Sequence, residues 1–257
     1  MSWLDVLILS FIEGATEFLP ISSTGHLIVA SELLGLQEDH FVQSFNIIIQ
    51  LGAILSVLFV YWRRFLPNLT FYKKLFIAFL PAAIIGLLLK NKIDIVLNNI
   101  LLVGLTTFFG GFVLIWSDYY FKSEGQDLKD IPDLSWLDCF KIGLIQCFAF
   151  LPGVSRSGAT IIGGLSLGLK RKAAAEFSFF LAVPTLAGAA FIKSLQAIKT
   201  IESDQVSYLA VGLVLSFLFA LLAIKTMVSI VSRFGFKHFG YYRILLGLVI
   251  ITVYFNR

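Results

Sequence analysis

Residues 13–26 read Glu-Gly-Ala-Thr-Glu-Phe-Leu-Pro-Ile-Ser-Ser-Thr-Gly-His, and residues 146–160 read Gln-Cys-Phe-Ala-Phe-Leu-Pro-Gly-Val-Ser-Arg-Ser-Gly-Ala-Thr. These two polar runs interrupt a chain in which 58% of residues are hydrophobic and only 14% are charged. A charged side chain at the centre of a membrane helix costs roughly 2.5 to 3.5 kcal/mol on insertion scales. The charged residues of the two runs therefore indicate function, and the breaks that the runs make in apolar sequence decide the fold.

The composition predicts one polytopic membrane domain over residues 1–257, because a mean hydropathy of +0.89 is typical of a chain embedded in lipid. The N-terminal segment carries acidic residues and no basic region, so it does not resemble a cleaved signal peptide. Cys139 and Cys147 have no CxxC or Cys/His pattern, which argues against a disulfide or a zinc site. The net charge of +4 is small and scattered, which excludes nucleic acid as a partner.

Six apolar stretches are long enough to cross a bilayer, which takes about 20 helical residues. They cover residues 41–61, 74–90, 99–121, 173–193, 206–225 and 239–255. Two further regions, residues 2–36 and 136–169, are pairs of shorter apolar segments broken by the polar runs. Backbone broken at membrane depth is tolerated only where it is buried in protein or faces a water-filled cavity. We therefore expect two re-entrant helical hairpins whose tips line one site.

The two halves of the chain also repeat. An offset of 132 residues places Pro20 on Pro152 and Ser23 on Ser155. One hairpin followed by three spans returns the chain to the opposite side of the membrane, so the second half is expected to be inverted, with the site at the interface of the halves. The sequence thus predicts an all-α integral membrane protein with an inverted-topology repeat, repeat 1 over about residues 1–125 and repeat 2 over about residues 134–257.

Basic residues predict the orientation, because cytoplasmic loops carry an excess of Lys and Arg. In this topology fourteen of them share one side and five the other. The fourteen are Arg63, Arg64, Lys73, Lys74, Lys122, Lys129, Lys141, Lys170, Arg171, Lys172, Lys225, Arg233, Lys237 and Arg243; the five are Lys90, Lys92, Lys193, Lys199 and Arg257. The richer side is expected to be cytoplasmic, so that both termini and the site face the outer side.

The first run is predicted to hold a divalent cation, Mg²⁺ or Ca²⁺. Glu13 and Glu17 are four residues apart and stack on one helix face, where like charges repel unless a positive group lies beside them. Mg²⁺ commonly uses one or two carboxylates together with the phosphate oxygens of a substrate. His26 adds a group that titrates near neutral pH and is suited to acid, base or nucleophilic chemistry.

The second run is predicted to bind phosphate. Ser155 is a good N-cap for a helix whose free N–H groups attract anions, and the Arg156 guanidinium binds phosphate oxygens in bidentate fashion. The residues expected to bind substrate are Ser22, Thr24, Gly153, Ser155, Arg156, Ser157 and Thr160. Two helix N-termini, an arginine and a carboxylate pair together describe a diphosphate site.

These residues resemble the undecaprenyl-diphosphate phosphatase family, also called the bacitracin-resistance proteins. Its glutamate-rich motif is carried by residues 13–26, its PGxSRSxxT motif by residues 152–160, and residues 176–184 are similar too. The resemblance runs the length of the chain, with no departure at the motif positions.

The resemblance implies an enzyme of the bacterial cytoplasmic (inner) membrane that hydrolyses the C55 isoprenoid diphosphate to the monophosphate carrier lipid of cell-wall synthesis. It also implies metal dependence and a site open to the outer face, and it allows a homodimer. In the expected mechanism Glu13 and Glu17 hold the cation, while Arg156 and the helix end at Ser155 neutralise the charge on the phosphates.

The attacking group has three candidates: His26, a serine among Ser22, Ser23 and Ser155, and a water activated by the metal. Each of them makes His26 essential, because His26 is the only imidazole in either run. The expected catalytic residues are His26, Glu17, Ser23 and Arg156, with His26 favoured as nucleophile or general base.

Two other classes of protein were weighed against this reading. Other membrane lipid phosphatases carry a histidine six residues after the arginine, where this chain has Ile162, so their mechanism is excluded. A transporter or flippase of polyprenyl-phosphate lipids is the alternative, because inverted repeats with broken helices are common among secondary transporters. Hydrolysis by the purified protein in detergent separates the two.

Overall fold

The computed structural model describes residues 1–36, 40–66, 68–97, 99–121, 128–197, 201–203 and 205–256, and this part of the chain contains helices and no β-strand. Its α-helices are α1 (Trp3–Thr16), α2 (Ser23–Leu33), α3 (His40–Ile48), α4 (Gln50–Val60), α5 (Leu69–Leu88), α6 (Lys90–Leu97), α7 (Ile100–Tyr120), α8 (Trp136–Gln146), α9 (Arg156–Ser166), α10 (Arg171–Ala197), α11 (Gln205–Phe234) and α12 (Lys237–Phe255). The all-α prediction is confirmed for the described residues.

Six stretches are long and apolar enough to cross a membrane. They are Phe41–Val60, Leu69–Leu88, Ile100–Tyr120, Arg171–Ile192, Gln205–Phe234 and Lys237–Phe255. Each coincides with one of the predicted spans, which are confirmed to within a few residues at most ends, the last helix before α12 being longer than expected. The first span is made of α3 and α4, which meet at Ile49.

The remaining long helices are too short to cross. The helix α1 has 14 residues, and α2, α8 and α9 have 11 each. At 1.5 Å per residue these lengths are about 17 to 21 Å, against about 30 Å of hydrocarbon. The pairs α1/α2 and α8/α9 occupy the two regions that the sequence analysis predicted to be hairpins.

An identical tetrapeptide begins both helix pairs. Residues 2–5 and 135–138 both read Ser-Trp-Leu-Asp. In each, the serine hydroxyl accepts the aspartate N–H and the aspartate carboxylate accepts the serine N–H, which is a capping box that starts the helix. The two copies are 133 residues apart.

The same offset of 133 residues relates the two turns. Ser22 (φ 69°) and Ser155 (φ 71°) are the N-caps of α2 and α9, and they are the positive-φ residues other than glycine in the described part of the chain. The predicted pairing of Ser23 with Ser155 is therefore wrong by one residue. The Leu-Pro dipeptide misled it, because Pro152 takes the place of Leu19 in this register.

Packing partners exchange between the halves. The helix α1 packs on α11, where the Trp3 and Tyr208 rings lie 4.5 Å apart between centroids, and α8 packs on α5, where a Cβ added to Gly143 would lie 2.3 Å from the Ala78 carbonyl oxygen. The helix α2 contacts α12, and α9 contacts α7. Each contact in one half thus has a counterpart that swaps the two halves.

The core lies along α10. Phe177, Phe179 and Phe180 are buried there, and the Phe179 ring meets the Phe18 ring at a centroid distance of 5.4 Å. Phe18 lies in the turn between α1 and α2, so this contact fixes the first turn against the centre of the protein. Ser178, between these phenylalanines, is fully buried and faces the second turn.

One residue of the basic count has a different role from the predicted one. Arg243 was counted as a cytoplasmic marker, but it lies inside α12 and is only 2% exposed. Without it thirteen of the fourteen remain against five, so the expected orientation is unchanged. Three other counted residues, Lys122, Lys199 and Arg257, lie outside the described residues.

The orientation is tested with single cysteines at Ser2 or Asn256, both exposed, in a background with Cys139→Ala and Cys147→Ala. A membrane-impermeant maleimide added to whole cells is expected to label both positions. A cysteine at Lys170, whose side chain is 50% exposed, serves as the control and should react only after the membrane is opened. Labelling of Ser2 and Asn256 from the cytoplasmic side alone would reverse the topology.

Candidate active site

The two turns present two helix N-termini to each other. Ser22 ends the first turn with its hydroxyl accepting the Gly25 N–H at 3.3 Å, and Ser155 does the same with the Gly158 N–H at 3.1 Å. A positive φ is costly for a residue with a side chain and is kept where surrounding contacts hold it, often at functional sites. Each strained serine places the next residue, Ser23 or Arg156, at the first position of its helix.

A chain of polar contacts links these first positions. The Ser23 hydroxyl donates to Glu17 Oε2 at 2.6 Å, and Arg156 Nη2 donates to Glu17 Oε1 at 2.7 Å. Arg156 Nη1 donates to the Ser178 carbonyl oxygen at 3.0 Å. The side chains of Arg156 and Glu17 are 12% and 6% exposed, so the ion pair is largely shielded from water.

Glu13 lies one helical turn before Glu17, whose N–H donates to the Glu13 carbonyl oxygen at 2.9 Å. Its side chain is fully buried, and neither carboxylate oxygen has a hydrogen-bond partner among the described residues. It interacts electrostatically with both Glu17 and Arg156. A buried carboxylate without a partner is costly, and a bound cation would satisfy it.

The donor set fits a divalent cation. Both oxygens of Glu13 are without a hydrogen bond, and Glu17 adds a second carboxylate whose oxygens keep further lone pairs. No group of three or more His, Cys, Asp or Glu side chains able to hold a metal occurs in the described part of the chain. This matches Mg²⁺ chemistry, in which one or two carboxylates suffice when phosphate oxygens complete the coordination.

The two turns also bond to each other directly. The Ser157 hydroxyl donates to the Leu19 carbonyl oxygen at 2.7 Å, which joins the start of α9 to the end of the first turn. Ser157 is buried, and its Oγ lies 3.0 Å from the Ser155 Oγ. These hydroxyls hold the turns together as well as facing the site.

Arg243 joins both turns to α7. Its guanidinium donates to five carbonyl oxygens at 2.8 to 3.3 Å. The acceptors belong to Pro20 in the first turn, Gly153 and Val154 in the second, and Thr106 and Thr107 in α7. A buried carbonyl left without a donor costs about 1 to 3 kcal/mol, so one side chain satisfies much of the backbone that the broken helices expose.

His26 faces away from the Ser23–Glu17–Arg156 chain in its hydrogen bonds. Its Nδ1 lies 2.8 Å from the Ser22 carbonyl oxygen, and its Nε2 lies 2.7 Å from the Tyr242 hydroxyl. The two rings are stacked, with 6° between their planes and 5.5 Å between centroids. Both ring nitrogens are therefore occupied.

Three residues predicted to bind substrate have different surroundings. The Thr160 hydroxyl is buried and donates to Ser178 Oγ at 2.7 Å, which supports Arg156 from behind. Gly153 (φ 83°) packs on α7, where a Cβ would lie 2.3 Å from Thr106 Oγ1. Thr24 is exposed at the start of α2.

Sequence reasoning missed Arg243, Tyr242 and Ser178. A signal for Arg243 was present, because an ionisable residue inside a predicted span indicates a functional position by default. The repeated Ser-Trp-Leu-Asp also carries a signal: its offset of 133 pairs Glu13 with Gln146, and Gln146 is likewise buried with both amide atoms unpartnered. Nothing in the sequence marks Tyr242 or Ser178.

Comparison with known proteins agrees with this arrangement. The profile of the family described as "Bacitracin resistance protein BacA" matches residues 6–249. A protein of Bdellovibrio bacteriovorus is 51% identical over 256 residues, covering 100% of this chain and 97% of its own length. A Flavobacterium psychrophilum protein is 47% identical (99% and 97% covered), and a Sulfurihydrogenibium protein is 44% identical (97% and 98% covered). All three are named undecaprenyl-diphosphatase.

Arg156 is expected to need its planar fork as well as its charge. One fork nitrogen holds Glu17 and the other holds the Ser178 carbonyl, and a lysine ammonium cannot span both. Arg156→Lys should therefore weaken the binding of pyrophosphate, measured calorimetrically in detergent, by about ten- to a hundredfold, nearly as much as Arg156→Ala. Arg233→Lys, an exposed position in α11, is the control, and near-normal binding by the Arg156→Lys variant would refute the fork role.

Proposed function

The chain belongs to the family of bacitracin resistance protein BacA, and from this membership together with the geometry of the two turns we infer that it is an undecaprenyl-diphosphatase. It is a multi-pass membrane hydrolase that converts undecaprenyl diphosphate to undecaprenyl phosphate and inorganic phosphate. This reaction regenerates the carrier lipid of cell-wall synthesis. The contact that carries the inference is the Ser23 hydroxyl on Glu17, which Arg156 holds from its other side.

The contact supports Ser23 as the attacking group. A serine hydroxyl is a poor nucleophile without an adjacent base, and Glu17 Oε2, 2.6 Å away, is such a base. Ser23 Oγ attacks the terminal phosphorus while its proton passes to Glu17. The bond to the bridging oxygen breaks, and undecaprenyl phosphate leaves. Water then cleaves the phosphoserine, releases inorganic phosphate and restores the serine hydroxyl.

Arg156 and the helix ends stabilise charge in both steps. The guanidinium uses two of its five N–H donors on Glu17 and Ser178, which leaves donors for phosphate oxygens. The N-termini of α2 and α9 add the positive ends of two helix dipoles. Such preorganised donors are the main source of catalysis in phosphoryl transfer.

The geometry favours Ser23 over His26, which the sequence analysis favoured. Direct attack or general-base action needs a ring nitrogen with a free lone pair facing the substrate or the nucleophile. The Nδ1 of His26 is bonded to Ser22 and its Nε2 to Tyr242. We therefore propose a supporting role for His26.

We propose that Glu13, with Glu17 beside it, holds a divalent cation such as Mg²⁺ or Ca²⁺. The two unpartnered oxygens of Glu13 support this assignment. When bound, the cation would neutralise charge on the diphosphate. Glu17 has one oxygen on Arg156 and the other on Ser23, so Glu13 is the main ligand that this chain offers.

We also propose that α1/α2 and α8/α9 are re-entrant hairpins of an inverted repeat, with the site and both termini on the outer side. Helix lengths below the bilayer thickness and the swapped packing of α1 on α11 and α8 on α5 support the proposal. The same architecture supports the alternative, a lipid transporter, because it is common among carriers. A serine hydrogen-bonded to a carboxylate supports hydrolysis. Phosphate release by purified protein in detergent, where there is no second side, tests which is correct.

The serine role is tested by rapid quench with substrate labelled in the terminal phosphate. We expect acid-stable label on Ser23, and Ser23→Ala should lower kcat by at least about a thousandfold. Ser31→Ala, a buried serine further along α2, is the control and should retain activity. Acid-labile label, as on a histidine, would contradict the assignment, and so would turnover without any labelled protein.

The metal role is tested with Glu13→Gln, which keeps the shape of the side chain and removes its charge. Loss of a ligand should raise the concentration of Mn²⁺ needed for half-saturation by at least about tenfold, measured by electron paramagnetic resonance on the purified protein. Glu202→Gln, an exposed carboxylate between α10 and α11, should bind as the wild type does. An unchanged Mn²⁺ titration in Glu13→Gln would place the ligands elsewhere.

A further inference from the structure

The hydrogen bonds of His26 specify which of its nitrogens carries hydrogen. A carbonyl oxygen only accepts, so the contact of 2.8 Å to the Ser22 oxygen requires Nδ1 to be protonated. In the neutral ring Nε2 is then an acceptor, and the Tyr242 hydroxyl at 2.7 Å is its donor. The pair thus holds one tautomer of His26 by a bond on each nitrogen.

This pair acts on the turn that presents Ser23. Ser22 has a positive φ of 69°, and its carbonyl oxygen accepts from the His26 ring. The orientation of that peptide sets where Ser23 begins α2, and the Ser23 hydroxyl must lie 2.6 Å from Glu17 to lose its proton. A small displacement of a reacting group can cost a hundredfold in rate, so a strained turn at a nucleophile benefits from support.

The second turn shows that this support is specific to the first. Ser155 has nearly the same φ, 71°, but the residue that corresponds to His26 at an offset of 133 is Ala159. There the Val154 carbonyl oxygen beside Ser155 is held by Arg243 at 2.9 Å. Only the turn next to Ser23 has an imidazole and a tyrosine behind it in the described part of the chain.

We propose that Tyr242 is a positioning residue for the reaction, acting through His26 to hold the Ser22–Ser23 turn in its attacking conformation. The proposal rests on the proposed role of Ser23. Tyr242 is 45% exposed, so it contributes little through burial and acts through its O–H group. Its neighbour Arg243 clamps the carbonyls of both turns, so α12 fixes the site from two consecutive residues.

Tyr242→Phe removes the donor and keeps the ring. We expect kcat to fall by about tenfold with KM unchanged, as for the loss of one hydrogen bond that orients the nucleophile. Tyr241→Phe is the matched control, because Tyr241 lies beside Tyr242 on α12 and packs near His238 instead. A Tyr242→Phe variant with normal kcat, or one changed only in KM, would overturn the proposal.

A double-mutant cycle with His26→Gln separates action through His26 from direct contact with substrate. If Tyr242 acts through His26, adding Tyr242→Phe to His26→Gln should lower kcat by less than about twofold further. A full tenfold loss in that background would show that Tyr242 contacts the substrate itself and would overturn the positioning role.

The tautomer gives a readout that needs no activity. In protein labelled with ¹⁵N-histidine and held at a pH where the ring is neutral, His26 should show the Nδ1–H tautomer, and Tyr242→Phe should shift the population toward Nε2–H. The chain has three histidines, and the His26→Gln spectrum identifies the signal. An unchanged tautomer in Tyr242→Phe would refute the positioning role, whereas failure of the Ser23 assignment would appear separately as missing acid-stable label.

Discussion

The Arg243 guanidinium solves the main structural problem of this protein. Two helices are broken inside the membrane region, and lipid offers no hydrogen bonds to the carbonyl groups that the breaks leave free. One buried side chain donates to carbonyls of both turns and of α7 at 2.8 to 3.3 Å. Because it binds both turns at once, it also sets the distance between them, on which the site depends.

With the turns held together, opposite charges from different parts of the chain meet across them. Glu17 comes from the first turn and Arg156 from the second, and their contact of 2.7 Å spans 139 residues of sequence. Glu13 stays buried beside them without a partner, which is a cost that a protein keeps where a ligand repays it. The site is therefore charged and incomplete without substrate and cation, as phosphoryl transfer requires.

Individual residues show how far sequence reasoning reached. The spans, the two broken regions and the roles of Glu17 and Arg156 at one site followed from hydropathy and from the cost of charge in lipid. The repeat register was missed by one residue, because the Leu-Pro similarity is local whereas the register follows the capping serines at positions 2, 22, 135 and 155. Arg243 was taken for a loop residue because helix α12 begins earlier, at Lys237, and carries it inward.

The sequence by itself determined the class of protein, since apolar length and the rarity of charge decide what dissolves in lipid, and it determined which residues carry the chemistry. Only the tertiary structure decided how they divide the work. Whether Ser23 or His26 attacks depends on which hydroxyl lies 2.6 Å from a carboxylate and which ring has both nitrogens occupied. These are contacts between residues up to 216 positions apart, as for His26 and Tyr242, and no local pattern encodes such distances because packing of whole helices sets them.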